Sequence, residues 1–286
     1  MQLVLLAAGH GRRFGGLKQL APIGPDGQAI MDYTAQAAAD CGFTGIVLVI
    51  REEIRAEIAT HVRRRWSGEI AVELVAQAPV PGTAQAVLSA RPAIEDTFAV
   101  ANADDLYGDV ALEGLLSGFR LASAVDLLRP PHVLVGYRLR RTILTSAPVT
   151  RGLCVVGRTG ELRRIVEHTV QRGEDGTFSA RQLGSDDEPG PLTGRERVSM
   201  NLWGFHHRVF AQLEAAVCGF DPHTAVRKEL LLPDVMNTLV RSGADDVHVV
   251  GTSARCIGVT HQEDLPLVRA EVAATSSASR LSSPHP

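Results

Sequence analysis

Between Leu3 and Gly24 the chain reads LVLLAAGHGRRFGGLKQLAPIG. An apolar run stops at Ala7 and Ala8, and a glycine-rich loop carrying Arg12, Arg13 and Lys18 follows. Glycines placed directly after a strand let backbone N–H groups come close to phosphate oxygens, and Arg13 and Lys18 can neutralise the charge. Two common phosphate loops are excluded by counting. The GxGxxG fingerprint would need glycine where Phe14 stands, and the GxxxxGK loop would need lysine where Leu17 follows Gly16. Lys18 is also one of only two lysines, with Lys228, in a chain that otherwise uses arginine. A compact ammonium retained inside a glycine loop points to a place where a planar guanidinium cannot substitute.

Carboxylates supply the second chemistry. AVANADDLYG ends a strand in Asp104 and Asp105, paired hard-oxygen donors at the end of a strand where α/β proteins bind ligands. Later, KELLLPDVMN offers Glu229 and Asp234, the latter also readable as an ordinary helix start after Pro233. QAPVPGTAQAV, from Gln77, is a proline loop running into a helix near Gly82 and Thr83. A glutamine amide can donate and accept at once, and a glycine admits a ligand edge to the backbone.

The elements that must position these residues follow from periodicity and turn signals. Strands are expected at Gln2–Ala7, Gly45–Ile50, Ile70–Val75 and Thr97–Ala101, with helices over Ala29–Cys41, Glu52–Arg65, Gly82–Ala90 and Val110–Ala122. Such alternation with short joints implies a mainly parallel sheet covered on both faces. Beyond about Pro131 the pattern changes. His132–Leu139 and Leu153–Val156 are β-like, and GRTGE turns the chain into Leu162–Glu167, a hairpin. Gln171–Arg197, rich in Gly, Asp, Glu and Pro, reads as a loop or weak hairpin, and Val198–Phe205 as a strand. Helices are expected over Arg208–Val217, Pro233–Arg241 and Glu263–Ala274, with late strands at Val247–Val250 and Cys256–Val259. The fold class is thus α/β, a mainly parallel mixed sheet flanked by helices and Rossmann-like, with a β-hairpin annex. One domain is expected over residues 1–274, divided near 130, with 275–286 a disordered tail.

Composition narrows the class. The 286 residues are 45% hydrophobic and 21% charged, enough for a sizeable core, and the formal net charge is -3. With no basic block, a nucleic-acid partner is not expected. Cys41, Cys154, Cys218 and Cys256 are far apart with no CxxC pair, which speaks against a zinc site or disulfide scaffold and fits a reducing cytoplasm. The short first apolar run lacks the basic flank of a signal peptide, and no stretch is long enough to span a bilayer, so no membrane partner is expected.

LAAGHGRRFGGLKQL resembles the signature loop of the sugar nucleotidyltransferases within the nucleoside triphosphate transferase superfamily, roughly LAxGxGxRxxxxxxK. The resemblance implies a GT-A-type nucleotidyltransferase fold. It implies that Ala8, Gly9 and Gly11 approach a nucleotide, that Arg13 binds the polyphosphate, and that Lys18 stabilises the transferring phosphate. QAPVPGTAQAV matches the element that reads the base, with Gln77 and Gly82 at the spacing used for uracil or thymine and Thr83 beside them. NADD and LPDV match the places of two aspartates that hold Mg²⁺, Asp104 and Asp234, with Asp105 next in line and Glu229 a rival to Asp234. RGLCVVGRTGELRRIVEH and SMNLWGF resemble the acceptor half, giving Gly152, Glu167, Asn201 and Trp203 to a sugar. Relatives often carry lysine where His168 follows Glu167, and this chain departs from them there.

The implied reaction transfers a nucleoside monophosphate from UTP or dTTP to a sugar 1-phosphate, releasing pyrophosphate, with Mg²⁺ as cofactor. The expected partners are a nucleoside triphosphate and a phosphorylated sugar, and a homo-oligomer is compatible with the sequence. Two alternatives stay open: transfer to a non-sugar acceptor, as in cytidylyltransferases and molybdopterin nucleotidyltransferases, and a silent module that binds sugar nucleotides.

Overall fold

The computed structural model describes residues 1–281, apart from 10, 12, 13, 67, 69, 126, 127, 224, 226, 227, 260 and 261. Its first half is a wound α/β unit. Strand β1 (Gln2–Leu6) lies between β2 (Ile46–Ile50) and β4 (Phe98–Asn102), all parallel, and β3 (Val72–Ala76) adds to the outer side of β2. These strands are apolar along most of their length because both faces are covered. Leu3, Leu5, Ile46, Leu48, Ala99 and Ala101 pack on one face with α1 (Ile30–Asp40), α2 (Arg55–Arg65) and α4 (Asp109–Val125). Val4, Leu6, Val47, Val49, Phe98 and Val100 pack on the other with α3 (Thr83–Ser89), α5 (Val209–Cys218) and α6 (Leu232–Ser242). One buried carboxylate fixes α1 to α2: Asp32 accepts from Trp66 Nε1 at 2.8 Å and lies 2.6 Å from His61 Nε2.

The second half extends the same sheet in the antiparallel sense. β11 (Arg197–Phe205) pairs antiparallel with β4, with β7 (Val149–Val156) and with β6 (His132–Arg138). Outward from β7 come β8 (Leu162–Arg172), β9 (Phe178–Gln182) and β10 (Gly190–Leu192), while β12 (Val247–Gly251) runs parallel to β6. The short pair β5 (Asp105–Leu106) and β13 (Ile257–Gly258) forms a separate two-stranded sheet at the end of β4. The fold is therefore the expected mixed α/β sheet with a hairpin annex, parallel in its first half and mainly antiparallel in its second. The weak-hairpin reading of 171–197 holds: β9 and β10 form there, at the outer edge of the sheet.

The last helix, α7 (Leu265–Leu281), packs Val268 and Val272 onto Phe14, Ile23 and Ile30. Its length corrects the expected tail. Residues 275–281 continue the helix, since no glycine or proline interrupts the chain before Pro284. Residues 282–286 lie outside the described residues. Among the described residues no helix is long and apolar enough to cross a membrane.

Candidate active site

β4 is the hinge of the site because it faces both halves. Its last residue, Asn102, pairs with Leu6 at the end of β1, where the glycine loop begins. The loop turns back through Gly11 at φ +57, a conformation that suits glycine, and a Cβ there would stand 2.7 Å from the Gly16 carbonyl oxygen. Buried Gln19 ties the loop down, its Nε2 donating to the carbonyls of Ala7 at 2.8 Å and Gly9 at 3.0 Å. Lys18 is thereby aimed across at the turn after β4, where its Nζ donates to Asp104 Oδ2 in an ion pair. Arg13, expected on the polyphosphate, lies outside the described residues.

Asp105 points the other way, into a cavity of about 230 Å³ between the two halves. Asn102 Nδ2 donates to its Oδ2 at 2.8 Å. Burial first, and the Asp104 charge second, raise the Asp105 carboxyl to about 6, with the Asn102 hydrogen bond opposing the shift. Gly258 of β13 covers the carboxylate so closely that a Cβ there would lie 2.3 Å from Oδ1. Tyr107 locks the floor, its hydroxyl accepting from Asn102 N and donating to Met200 O, both at 2.8 Å.

Three annex residues complete the cavity in one row. Ser199 on β11 is paired with Gly152 on β7, and Gly152 with Glu167 on β8. Gly152 keeps room for Glu167, since a Cβ there would stand 3.3 Å from Oε1. Asn201 also lines the cavity, held at φ +58 where the pairing of β11 with β6 slips between Ser199 and Trp203. A non-glycine residue in this region is strained, and such strain gathers at functional sites. Arg151 lines the cavity too, fastened by Nε to Thr142 Oγ1 at 3.1 Å and by Nη2 to Thr142 O at 2.5 Å.

The stretch expected to read the base is built as a joint. Gly82, at φ +120, lies so close to Leu230 that a Cβ would come within 2.2 Å of the Leu230 carbonyl oxygen. Leu230 N donates to Pro81 O at 3.0 Å, and Leu232 N to Thr83 Oγ1 at 2.8 Å, so α3 and α6 begin as one unit. Thr83 lines the cavity as well. Gln77 spends its Nε2 on the carbonyls of Val80 at 3.2 Å and Gly82 at 3.3 Å, which leaves its Oε1 to accept from a ligand.

Thr83, Gly152, Glu167 and Asn201 are thus brought to one cavity, with the Lys18–Asp104 pair one residue away from Asp105. Asp234 is placed differently. It lines a neighbouring cavity of about 430 Å³ with its rival Glu229 and with Asn237, while Pro233 beside it reaches the central cavity. Trp203 is a correction. It is fully buried, its ring stacks on Phe205 with centroids 5.6 Å apart, and its indole N–H donates to Asn201 Oδ1 at 3.3 Å. It orients Asn201 and presents no face to a sugar. Asn102, Arg151 and Ser199 were not singled out by the sequence. Only Asn102 carried a signal, three residues before Asp105 at a strand end.

Residues 3–119 match the family model of the MobA-like NTP transferase domain. Solved structures share the fold over almost the whole chain. One assigned as a glucose-1-phosphate thymidylyltransferase from Bacillus anthracis, in complex with a sucrose, is 15% identical with a TM-score of 0.67, covering 95% of this chain and 94% of its own. The inositol-1-phosphate CTP transferase from T. maritima is 16% identical with a TM-score of 0.65, covering 95% of each chain. A UDP-glucose pyrophosphorylase complexed with UDP-glucose is 15% identical with a TM-score of 0.63, covering 96% of this chain and 98% of its own. No curated protein sequence matches the chain significantly.

Proposed function

We propose that this chain is a nucleotidyltransferase that joins UTP or dTTP to a sugar 1-phosphate, giving a nucleoside diphosphate sugar and pyrophosphate. The observation that carries the reading is the end of β4. Asp104 there pairs with Lys18 of the glycine loop, and Asp105 opens into the cavity shared with Gly152, Glu167 and Asn201 of the annex. A triphosphate held by the loop and a polyol held by the annex would meet at those two carboxylates.

An acceptor phosphate oxygen would attack the α-phosphorus, forming the new P–O bond as the bond to the β-phosphate bridge breaks. The acceptor is already anionic, so no side chain has to remove a proton. Lys18 would meet charge on the α-phosphate, and Gly9 and Gly11 would offer backbone N–H groups to the phosphates. Glu167 and Asn201 would fix the sugar hydroxyls and so the direction of attack.

The donor set suits Mg²⁺. Asp104 and Asp105 are hard oxygen donors on consecutive residues, and among the described residues no group of three or more His, Cys, Asp or Glu is gathered to hold a metal. Mg²⁺ is commonly held by one or two carboxylates together with substrate phosphates, and Asp104, facing the loop that would hold those phosphates, is the carboxylate placed to contribute. When bound, it supplies positive charge to the phosphate oxygens. Asp234 would join only if its helix end turned from the neighbouring cavity.

The base preference rests on Gln77. With Nε2 engaged, its free Oε1 suits the N3–H of uracil or thymine, whereas cytosine presents an unprotonated N3 and would oppose two acceptors, at about 1–3 kcal/mol. Pyrophosphate release across a panel of triphosphates and sugar 1-phosphates tests the reading. UTP or dTTP is expected to exceed CTP, ATP and GTP at least tenfold in kcat/KM, about 1.4 kcal/mol. A clear preference for CTP, or turnover only with a non-sugar acceptor, would overturn it.

A further inference from the structure

A chain of net charge -3 concentrates arginines at one place away from the central cavity. Arg138 ends β6, Arg140 and Arg141 follow in a single helical turn, Arg172 ends β8, and Arg255 follows β12. Among the described residues, Arg138, Arg140, Arg141 and Arg172 have no carboxylate within ion-pair distance, while Arg255 pairs with Glu271 at 2.7 Å. Like charges left unpaired side by side repel one another and favour a bound counter-anion.

The surface is also concave. Arg138, Arg140, Arg141 and Arg255 line a cavity of about 470 Å³ together with Ser253. A second cavity, of about 460 Å³, shares Arg140 and Arg255 and adds Arg172 and Thr193 with an apolar wall of Ile143, Leu144 and Phe178. Each is within the size range of small-ligand sites. Neither shares a lining residue with the central cavity. The Phe178 ring lies over Gly194, whose φ of +76 and lack of a Cβ (which would stand 2.8 Å from the ring) make room for it.

We propose that this face is a second ligand site, built for an anion of the nucleoside diphosphate class. Guanidinium forks and the Ser253 hydroxyl would hold the two phosphates, and Phe178, Ile143 and Leu144 would cover the nucleoside. The site stands next to the catalytic carboxylates without joining them. Cys256 N donates to Arg141 O at 3.2 Å, and β13, which follows at once, covers Asp105. Thr142, the residue after Arg141, anchors Arg151 of the central cavity.

The test is calorimetric titration of UDP, ADP and pyrophosphate into the full chain carrying Lys18→Ala, which weakens the loop site. UDP or ADP is expected to bind still, at least tenfold more tightly than pyrophosphate. Adding Arg138→Ser and Arg140→Ser should weaken that binding at least tenfold. Hydrogen exchange on the unsubstituted protein supplies a second readout that needs no variant: the nucleotide should protect peptides spanning 138–144 and 251–256. Binding unchanged by the arginine substitutions, pyrophosphate binding as tightly as the nucleotides, or protection confined to 7–19 and 77–84 would each overturn the proposal. The readout is binding, so failure to detect nucleotidyl transfer would leave it standing.

Discussion

Lys18 is the residue on which the proposed chemistry turns. It is held by a loop whose shape depends on Gly11 and Gln19, and it faces Asp104, so it is positioned before any ligand arrives. Lys18→Ala should cut turnover roughly 100- to 1000-fold, the usual cost of removing one charge-stabilising group. Circular dichroism should meanwhile show an intact fold. Lys18→Arg should be nearly as poor, because the fork cannot occupy the place of a point charge; near-normal turnover would contradict the role given to it. Gly82 fails in the opposite way. Gly82→Ala should destabilise by at least about 2 kcal/mol, since a Cβ would strike the Leu230 backbone and φ is +120. Urea denaturation checks this, and an unchanged midpoint would remove the close approach from the account. At this scale the sequence showed which residue types mattered better than it showed their orientation. NADD marked two carboxylates but not that consecutive side chains divide, Asp104 to the loop lysine and Asp105 to the cavity. Trp203 had the chemistry of a stacking platform, yet packing on Phe205 in the core buried it completely.

At the scale of elements, the annex earns its role through β11. It pairs with β7 through Arg197–Ser199 and with β4 through Trp203–Phe205, with β6 along its other edge, and its irregular stretch brings Asn201 to the cavity. Asn201→Gly should change thermal stability little, because glycine relieves the strain at φ +58 while the buried Trp203 indole loses its hydrogen-bond acceptor. It should also raise KM for the acceptor several-fold while leaving KM for the nucleotide nearly unchanged. A rise in nucleotide KM instead would move Asn201 to the other substrate. The parallel half was legible because buried strands and amphipathic helices alternate with short turns. β9 and β10 were harder to read. They lie at the sheet edge, are half-exposed, and carry Gly, Pro and charged residues whose local preference favours loops. The end of α7 was misread for a related reason: a run of Ser, Ala and Thr has weak preferences, and composition alone cannot end a helix already begun.

The whole molecule is tied at the end away from the site by a buried polar network. Asp245 accepts from Arg208 Nη2 at 2.8 Å, from Gln212 Nε2 at 2.9 Å and from His132 Nε2 at 3.1 Å, while His132 Nδ1 accepts from His206 N at 3.2 Å. Burial holds both histidines below their ordinary range, His206 down to about 4. Unfolded histidines titrate near ~6.5. Between those values the unfolded chain takes up protons that the folded one refuses, so this contribution to stability is complete above ~6.5 and falls with pH towards 4. Asp245, held well below the usual carboxylate range by hydrogen bonds from His132 and Arg208 that outweigh its burial, adds stability that is lost only in more acid solution. Thermal scans should therefore show Tm dropping between pH 7 and 4.5, and His206→Phe should shrink the drop; a flat Tm would contradict the assignment. The proposed transfer depends on both halves meeting at the end of β4, and one measurement addresses that directly. Single-turnover transfer from α-³²P-labelled UTP or dTTP to a sugar 1-phosphate should give a labelled nucleoside diphosphate sugar with stoichiometric pyrophosphate. Transfer should be lost in Asp104→Asn and Asp105→Asn, each of which should stay folded. Undiminished transfer in both variants, or no labelled product from the native chain with any sugar 1-phosphate, would contradict the account.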